Sequence, residues 1–500
     1  MFASIARAIP PTSSTTTSRS KSLADPAHSR RLFVLLAGLL LAGAGLLRFA
    51  QIDRRLLHAD EAVQAYQTWQ LLRGDGYTYD PDDKHGPFLY YAAAGLAKIS
   101  GQTPATLTVA KFRTVTLLAG LGTLALLLSA APRLGRTATL IGTTLLAIAP
   151  LAVIYDTYFV QEAWFSFFTW ALFFATLRLI DRPTLPTALI VGIIAGLMQA
   201  TKETSVLHFT ALSGALLIVR PWREIGRLVP RLLIAFLAAS VVYVIFYSAF
   251  FTHSAGLTDG LRAYFNYAQR AAGSPHDQPW FYYGAILWPH TQGGIHWGEP
   301  LLLLGALGGA ILAFSPQANP THRALAAFTA TLLLIYSLIP YKTPWLLLTP
   351  YAGLALLAGL GAAHSARWLP EKIGRFTPAF FGLALVLTGA WRAGPALGRY
   401  ANDSRSPYLY QPTSPDLTRL VTTLETQALD KKIAVISPDH AWPLPWYLRD
   451  RATVGYFTTP PQNLTAYDMV LLDSRLNLPP PAAATAFGLR PDILLWSAPR

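Results

Sequence analysis

The sequence has no cysteine, which excludes disulfides and thiolate metal sites. It is also short of charge. Only 13% of its 500 residues are Asp, Glu, Lys or Arg, against about 25% in an ordinary soluble domain. Acids are the scarcest, 26 against 40 basic residues. No P-loop, dinucleotide-binding glycine fingerprint, serine elbow or zinc-protease motif occurs at a plausible position, so the familiar nucleotide and hydrolase chemistries have no foothold. No basic stretch is interleaved with aromatics, so the net charge of +14 does not point to nucleic acid.

What is present is apolar: 52% of the residues are hydrophobic. Runs of about 18 or more uncharged residues recur, the length a helix needs to cross hydrocarbon at 1.5 Å per residue. Hydropathy predicts about eleven transmembrane helices, over 32–50, 108–131, 137–154, 162–177, 185–200, 204–219, 232–251, 300–315, 324–340, 345–363 and 376–391. Residues 1–31, rich in Ser and Thr, read as a disordered tail, and Leu32–Ala50 as a retained first span and not a cleaved signal.

The positive-inside rule sets the orientation. With the amino terminus in the cytoplasm, the loops 132–136, 178–184, 220–231, 316–323 and 364–375 fall inside and carry twelve basic residues against three acids. Everything that looks like chemistry falls on the other face. It comprises the outer loop 51–107, the short segments 155–162, 201–204 and 341–345, the outer loop 252–299 and the last hundred residues. Segregation of this kind fits a catalytic or transport site open to the outer side. The expected fold class is therefore an all-α polytopic membrane domain over 32–391, followed by a small α/β extracytoplasmic domain over 392–500. In the latter, "KKIAVIS" (431–437) and "YDMVLLD" (467–473) read as strands. Pro415–Ala428 reads as a helix capped by Ser414 with Pro415 in its first position. "PDHAWPLPWYLRD" (438–450) is a candidate for packing on the membrane domain.

The stretch "HADEAVQAYQTWQLLRGDGYTYDPDDKHGPFLYY" (58–91) gathers six carboxylates directly after the first span: Asp60, Glu61, Asp75, Asp80, Asp82 and Asp83. Asp60 and Glu61 open a helix with Ala62, Ala65, Tyr66, Trp69 and Leu72 on one face. Two readings stand here. The helix lies on the membrane interface with its aromatics in the headgroups, or one of its carboxylates enters a cavity as a base. "YDPDDKHG" (79–86) fails the EF-hand spacing; it is a solvated acidic turn, unless Lys84 and His85 help hold an anion or a metal. Asp156 and Glu162 flank a short outer turn, and Glu162 sits at a depth where ionisable groups face a cavity or a partner. Lys202 and Glu203 either pair with each other or leave Lys202 to meet a lipid-linked phosphate. Lys342 is another outer cation. His253, His276, His290 and His296 are scattered without metal-ligand spacing.

One span followed by an outer loop that opens on "HADEA" and runs to "HGPFLYY" resembles the GT-C glycosyltransferases. More narrowly it is similar to the flippase-activity-associated proteins, relatives of the protein O-mannosyltransferases and the aminoarabinose transferases. "YFVQEAWF", "TKET", "PYKTPW" and "WPLPWYLRD" fit that narrower family, and the likeness runs over roughly residues 32–470. The resemblance implies a GT-C fold and transfer of a sugar from a polyprenyl-phosphate-linked donor on the outer face, usually with inversion. It implies Asp60 as general base beside Glu61, and Asp156 as a second acid near the reaction centre. Lys84, His85, Glu162, Lys202, Glu203 and Lys342 are the candidates for holding donor phosphate or substrate. Asp60, Glu61 and Asp156 would suit Mg²⁺ or Mn²⁺ if a metal takes part. The expected partners are a lipid-linked sugar, membrane lipid and a protein or glycan acceptor; the expected location is the inner (plasma) membrane. Rival readings are a flippase-associated transport component without chemistry and a non-catalytic assembly protein.

Overall fold

In the computed structural model, residues 26–82, 85–219, 226–270, 273–365, 370–374 and 376–499 are described. Each of the eleven expected spans coincides with a helix. Seven are long and apolar enough to cross a membrane: Ser29–Gln51 within the longer helix Pro26–Gln51, Val109–Ser129, Glu162–Asp181, Val229–Tyr247, Pro320–Leu338, Pro344–His364 and Thr377–Leu397. An eighth is broken. Arg136–Ile148 and Pro150–Asp156 meet at an angle of 65°. Ala149 is extended there (φ −60°, ψ 126°), as the residue before a proline must be to avoid its ring. The remaining three, Leu185–Thr201, Ser205–Val219 and Pro300–Ala313, fall short of full spanning length, so the count of eleven becomes seven or eight. Hydropathy sees apolar runs, not whether a helix lasts through them.

Leu348–His364 is the axis of the bundle; every residue from Leu348 to Ala362 is buried. Small residues let neighbours approach it. A Cβ at Gly142 would strike the backbone of Ala355, and one at Gly309 would strike that of Leu357. Close backbone approach of this kind is how helices associate where lipid removes the hydrophobic drive. Pro26–Gln51 and Val229–Tyr247, by contrast, expose apolar side chains such as Leu39, Leu46, Phe236 and Leu237 around much of their girth, as lipid-facing helices do.

The loops 51–107 and 252–299 are not irregular. The first contains helices Ala59–Arg73 and Phe88–Ile99; the second contains Gly256–Arg270, the short helix Tyr282–Leu287 and a hairpin of β1 (His290–Gln292) with β2 (Ile295–Trp297).

The carboxy-terminal part is α/β. Its sheet has the order β4-β3-β5-β7-β6, from β3 (Ile433–Ile436), β4 (Val454–Phe457), β5 (Met469–Asp473), β6 (Thr485–Arg490) and β7 (Ile493–Pro499). β3 pairs in parallel with both β4 and β5; β5–β7 and β7–β6 are antiparallel. Both expected strands are present. The helix runs Asp416–Gln427, one residue later than expected, with Pro415 at the N-cap position and Ser414 Oγ accepting from Asp416 N at 3.3 Å. The tryptophan-rich segment does pack on the membrane domain. Trp446 is 3% exposed, shares a cluster with Leu57, Ala62 and Phe159, and meets Phe112 edge-on at 5.4 Å.

Candidate active site

The helix Ala59–Arg73 begins because His58 caps it: Nδ1 accepts from Asp60 N at 3.1 Å, while Glu61 Oε2 accepts from His58 N at 3.0 Å. It ends at Gly74, whose φ of 92° is left-handed. Its apolar face does not lie in headgroups. Ala62, Ala65 and Trp69 are buried against Leu89, Ala93, Phe112 and Trp446, so the interfacial reading of this helix is replaced by packing inside the protein.

Glu61 is fully buried and held by four donors. Arg113 Nε and Nη2 each reach a carboxylate oxygen at 2.7 Å, Phe159 N reaches Oε1 at 2.8 Å, and His58 N completes the set. Burial alone would raise its pKa. The Arg113 charge and these hydrogen bonds outweigh burial and hold it below the usual carboxylate range.

Asp156, at the end of the broken span, is also buried and takes Arg48 Nε at 2.8 Å and Nη2 at 2.7 Å on Oδ2. It fills the space over Gly120, where a Cβ would collide with it.

Asp60 differs from both. Its side chain is 49% exposed, and among the described residues no lysine or arginine pairs with it; His58 Nδ1 lies 3.8 Å from Oδ2. Its charge bears on Tyr158, His276, Tyr341 and Tyr410, which arrive from four separate segments. His276 Nδ1 and the Tyr410 hydroxyl are hydrogen-bonded, and the His276 ring meets Tyr341 edge-on at 5.0 Å. Burial lowers the His276 pKa, against the opposing charges of Asp60 and Asp277. Burial also raises that of Tyr410, and Asp60 adds to the rise.

Two buried cations near this group lack an acidic partner among the described residues. Lys342 Nζ donates only to carbonyls, Gln278 O at 3.1 Å and Ile339 O. Arg55 is 3% exposed; Nη2 reaches Thr157, while Nε and Nη1 have no hydrogen-bond partner. Burial brings the Arg55 pKa down to about 10.

A second charged group adjoins the first. Lys202 and Glu203 do not pair with each other. Lys202 Nζ reaches Glu162 Oε1 at 2.5 Å; Glu203 accepts from Tyr79 at 2.7 Å and faces His85 Nδ1 at 3.0 Å. His85 also stacks on Tyr267. Gly86 is pressed against the backbone of Ala200 and Thr201, which sets this register. The charges of both Asp60 and Glu162 act on Tyr341, alongside burial, to raise its pKa. Lys84 lies outside the described residues.

Asp60, Glu61 and Asp156 do not form a common ligand set, since Glu61 and Asp156 are engaged by arginines. Among the described residues no group of three or more His, Cys, Asp or Glu could hold a metal ion.

The sequence reading passed over Arg48, Arg55, His58 and Arg113. Arg48 and Arg113 carried a signal nonetheless: an arginine inside an apolar run is costly unless it has a partner.

This arrangement of spans, outer helices and α/β domain is the GT-C glycosyltransferase fold, and the chain is a multi-pass membrane protein. Residues 84–247 match the sequence model of the family described as dolichyl-phosphate-mannose-protein mannosyltransferase. The chain is similar in structure to ArnT from Cupriavidus metallidurans in the apo state, with a TM-score of 0.64 and 15% identity, covering 94% of this chain and 98% of that one. The same enzyme bound to undecaprenyl phosphate matches with a TM-score of 0.64 over 95% and 98% of the two chains, at 15% identity. The archaeal oligosaccharyltransferase AglB from Archaeoglobus fulgidus, in complex with an inhibitory peptide and a dolichol-phosphate, matches with a TM-score of 0.56 and 13% identity over 88% of this chain and 70% of that one. No curated protein matches the chain by sequence. The GT-C resemblance is thus met at the level of the fold; the flippase-associated description has no support among these matches.

Proposed function

We propose that the protein is a membrane glycosyltransferase that moves a sugar from a polyprenyl-phosphate-linked donor to an acceptor hydroxyl, with the site on the outer face of the cell's inner membrane. The observation that carries this reading is the state of Asp60. Of the acids assembled here, Glu61, Asp156 and Glu162 are each tied to a buried cation, whereas the Asp60 carboxylate is half-exposed and without one. An unpaired carboxylate at the mouth of a protein-lined site can accept a proton.

In the proposed reaction, Asp60 takes the proton of the acceptor hydroxyl as that oxygen attacks the anomeric carbon. The bond from that carbon to the phosphate oxygen breaks, and polyprenyl phosphate leaves with the electron pair. Attack opposite the leaving group gives inversion. Lys342 and Arg55 supply positive charge for the phosphate in a water-poor setting, where such charge is most effective. Glu61 and Asp156 act as buried counter-ions that hold Arg113 and Arg48, not as acid or base. Lys202 neutralises Glu162 and His85 pairs with Glu203, so these build the wall of the donor site. The fold's neighbours that hold undecaprenyl phosphate and dolichol-phosphate support a polyprenyl carrier.

The test is release of polyprenyl phosphate from a polyprenyl-phosphate sugar by the purified protein, followed by mass spectrometry across a panel of glycan and peptide acceptors. Lipid extracts of cells lacking the protein should accumulate the unused donor. A protein that transports donor across vesicles, yet cleaves it with no acceptor and leaves no accumulated donor in such cells, is not this enzyme.

A further inference from the structure

The segment between the last span and the α/β domain is a strap hydrogen-bonded to the residues just before Asp60. Asn402 Oδ1 accepts from Leu56 N at 2.8 Å, and its Nδ2 donates to Arg54 O at 3.1 Å. Thr413 Oγ1 donates to Leu57 O at 2.7 Å. Tyr410 O lies 3.0 Å from His58 Nε2. The backbone from Arg54 to Leu57 and the His58 side chain are therefore held by residues some 350 positions later in the chain.

His58 joins the strap to the helix. A backbone carbonyl can only accept, so Nε2 carries the hydrogen toward Tyr410. A backbone N–H can only donate, so Nδ1 offers its lone pair to Asp60 N. Both bonds hold together only for the neutral, Nε2-protonated ring. His58 is 4% exposed, and its ring meets Tyr158 at 5.8 Å and Trp345 at 6.2 Å. Histidine is not among the favoured N-caps, and asparagine would cap at least as well. What histidine adds is reach in the opposite direction, to the strap. Its own backbone N–H goes to Glu61, so the buried Arg113–Glu61 pair anchors the same residue.

We propose that His58 is a positioning residue for Asp60, a rigid link that transmits the placement of the strap 402–413 to the backbone of Asp60 and thereby aims its carboxylate at the group formed by His276, Tyr341 and Tyr410. This rests on the reading of Asp60 as the base. The cap acts on the N–H of Asp60 itself, so losing it rotates the very residue that must meet the acceptor hydroxyl.

Four variants test it, assayed on the full-length protein in detergent or nanodiscs with a polyprenyl-phosphate sugar as donor. His58→Ala should lower kcat by about 10²-fold, the scale of a misplacement near 1 Å, with the donor KM within about twofold. His58→Asn, which restores the acceptor for Asp60 N but not the reach to Tyr410 O, should recover only part of that loss. Asn402→Ala, which loosens the strap and leaves His58 in place, should lower kcat with KM unchanged. Asp60→Asn is the control for the underlying reading. If Asp60→Asn keeps full turnover, the base assignment falls. If Asp60→Asn is inactive while His58→Ala matches the parent, only the positioning role falls. It falls also if asparagine at 58 restores the parent kcat, since the cap alone would then suffice, or if the loss is confined to KM. Should His58→Ala fail to fold, the asparagine and Asn402 variants decide alone: unchanged kcat in Asn402→Ala overturns the proposal.

Discussion

Asp60 and Glu61 are neighbours in the first turn of one helix and live in opposite surroundings: Glu61 is sealed against Arg113 at 2.7 Å, while the Asp60 side chain is 49% exposed and, among the described residues, pairs with no lysine or arginine. Replacing them should therefore give opposite outcomes. Asp60→Asn should fold and bind donor as the parent does, yet lose turnover by about 10²- to 10⁴-fold, the usual contribution of a general base. Glu61→Gln strands a buried arginine and should cost about 3–5 kcal/mol of stability. Thermal unfolding and donor-release rates on the same two preparations separate the cases. A melting temperature that falls for Asp60→Asn and not for Glu61→Gln would reverse the assignment.

Lys202 offers a second discrimination. Paired with Glu162 at 2.5 Å and almost fully buried, it should be a structural cation. Lys202→Met alone leaves Glu162 unpaired and should destabilise by about 3–5 kcal/mol, whereas Lys202→Met with Glu162→Leu should regain much of that. If the double variant regains stability but its donor KM stays far above the parent's, Lys202 binds the phosphate after all.

Trp446 ties the α/β domain to the helix that carries Asp60, through Phe112, Leu57 and Ala62. Trp446→Ala should cost about 3–5 kcal/mol. Limited proteolysis should then cut between the last span and residue 416 faster than in the parent. Unchanged proteolysis and melting would mean the domains are held elsewhere.

His276 predicts the direction of a pH effect. Burial holds its pKa below the ordinary value, so the folded protein favours the neutral ring. Its contribution to stability is therefore complete above the unfolded value of about 6.5 and is lost as pH falls through that value toward the lower folded one. Melting curves from pH 8 to pH 5 should show a decline that His276→Gln reduces. A decline of the same size in the variant would place the effect on other groups.

The reach of sequence reasoning differs along the chain. Apolar length located helix at each of the eleven expected spans, because burial in lipid leaves a one-dimensional trace. It overcounted full spans, because three of these helices are shorter than a full span among the described residues, and Pro150 breaks another. The alternation of basic loops grouped 58–91, 155–162, 201–204 and 341–345 on one side, and these segments do meet. Which acid meets which cation was not legible. Arg48 reaches Asp156 across 108 positions and Arg113 reaches Glu61 across 52, and no local pattern encodes such pairings. The two readings of the helix Ala59–Arg73 could not be separated for a related reason: an aromatic face looks the same whether headgroups or Trp446 will cover it.

The crossing strap also bears on how the molecule comes into being. Residues 54–58 emerge early, yet Asn402, Tyr410 and Thr413 complete their surroundings only after the last membrane helix has been made. Until then Asp60 has a cap without a tether. A nascent or truncated chain would thus display the acidic loop to the lipid pool in an unfinished state, and competence would arrive as one of the final events of biogenesis.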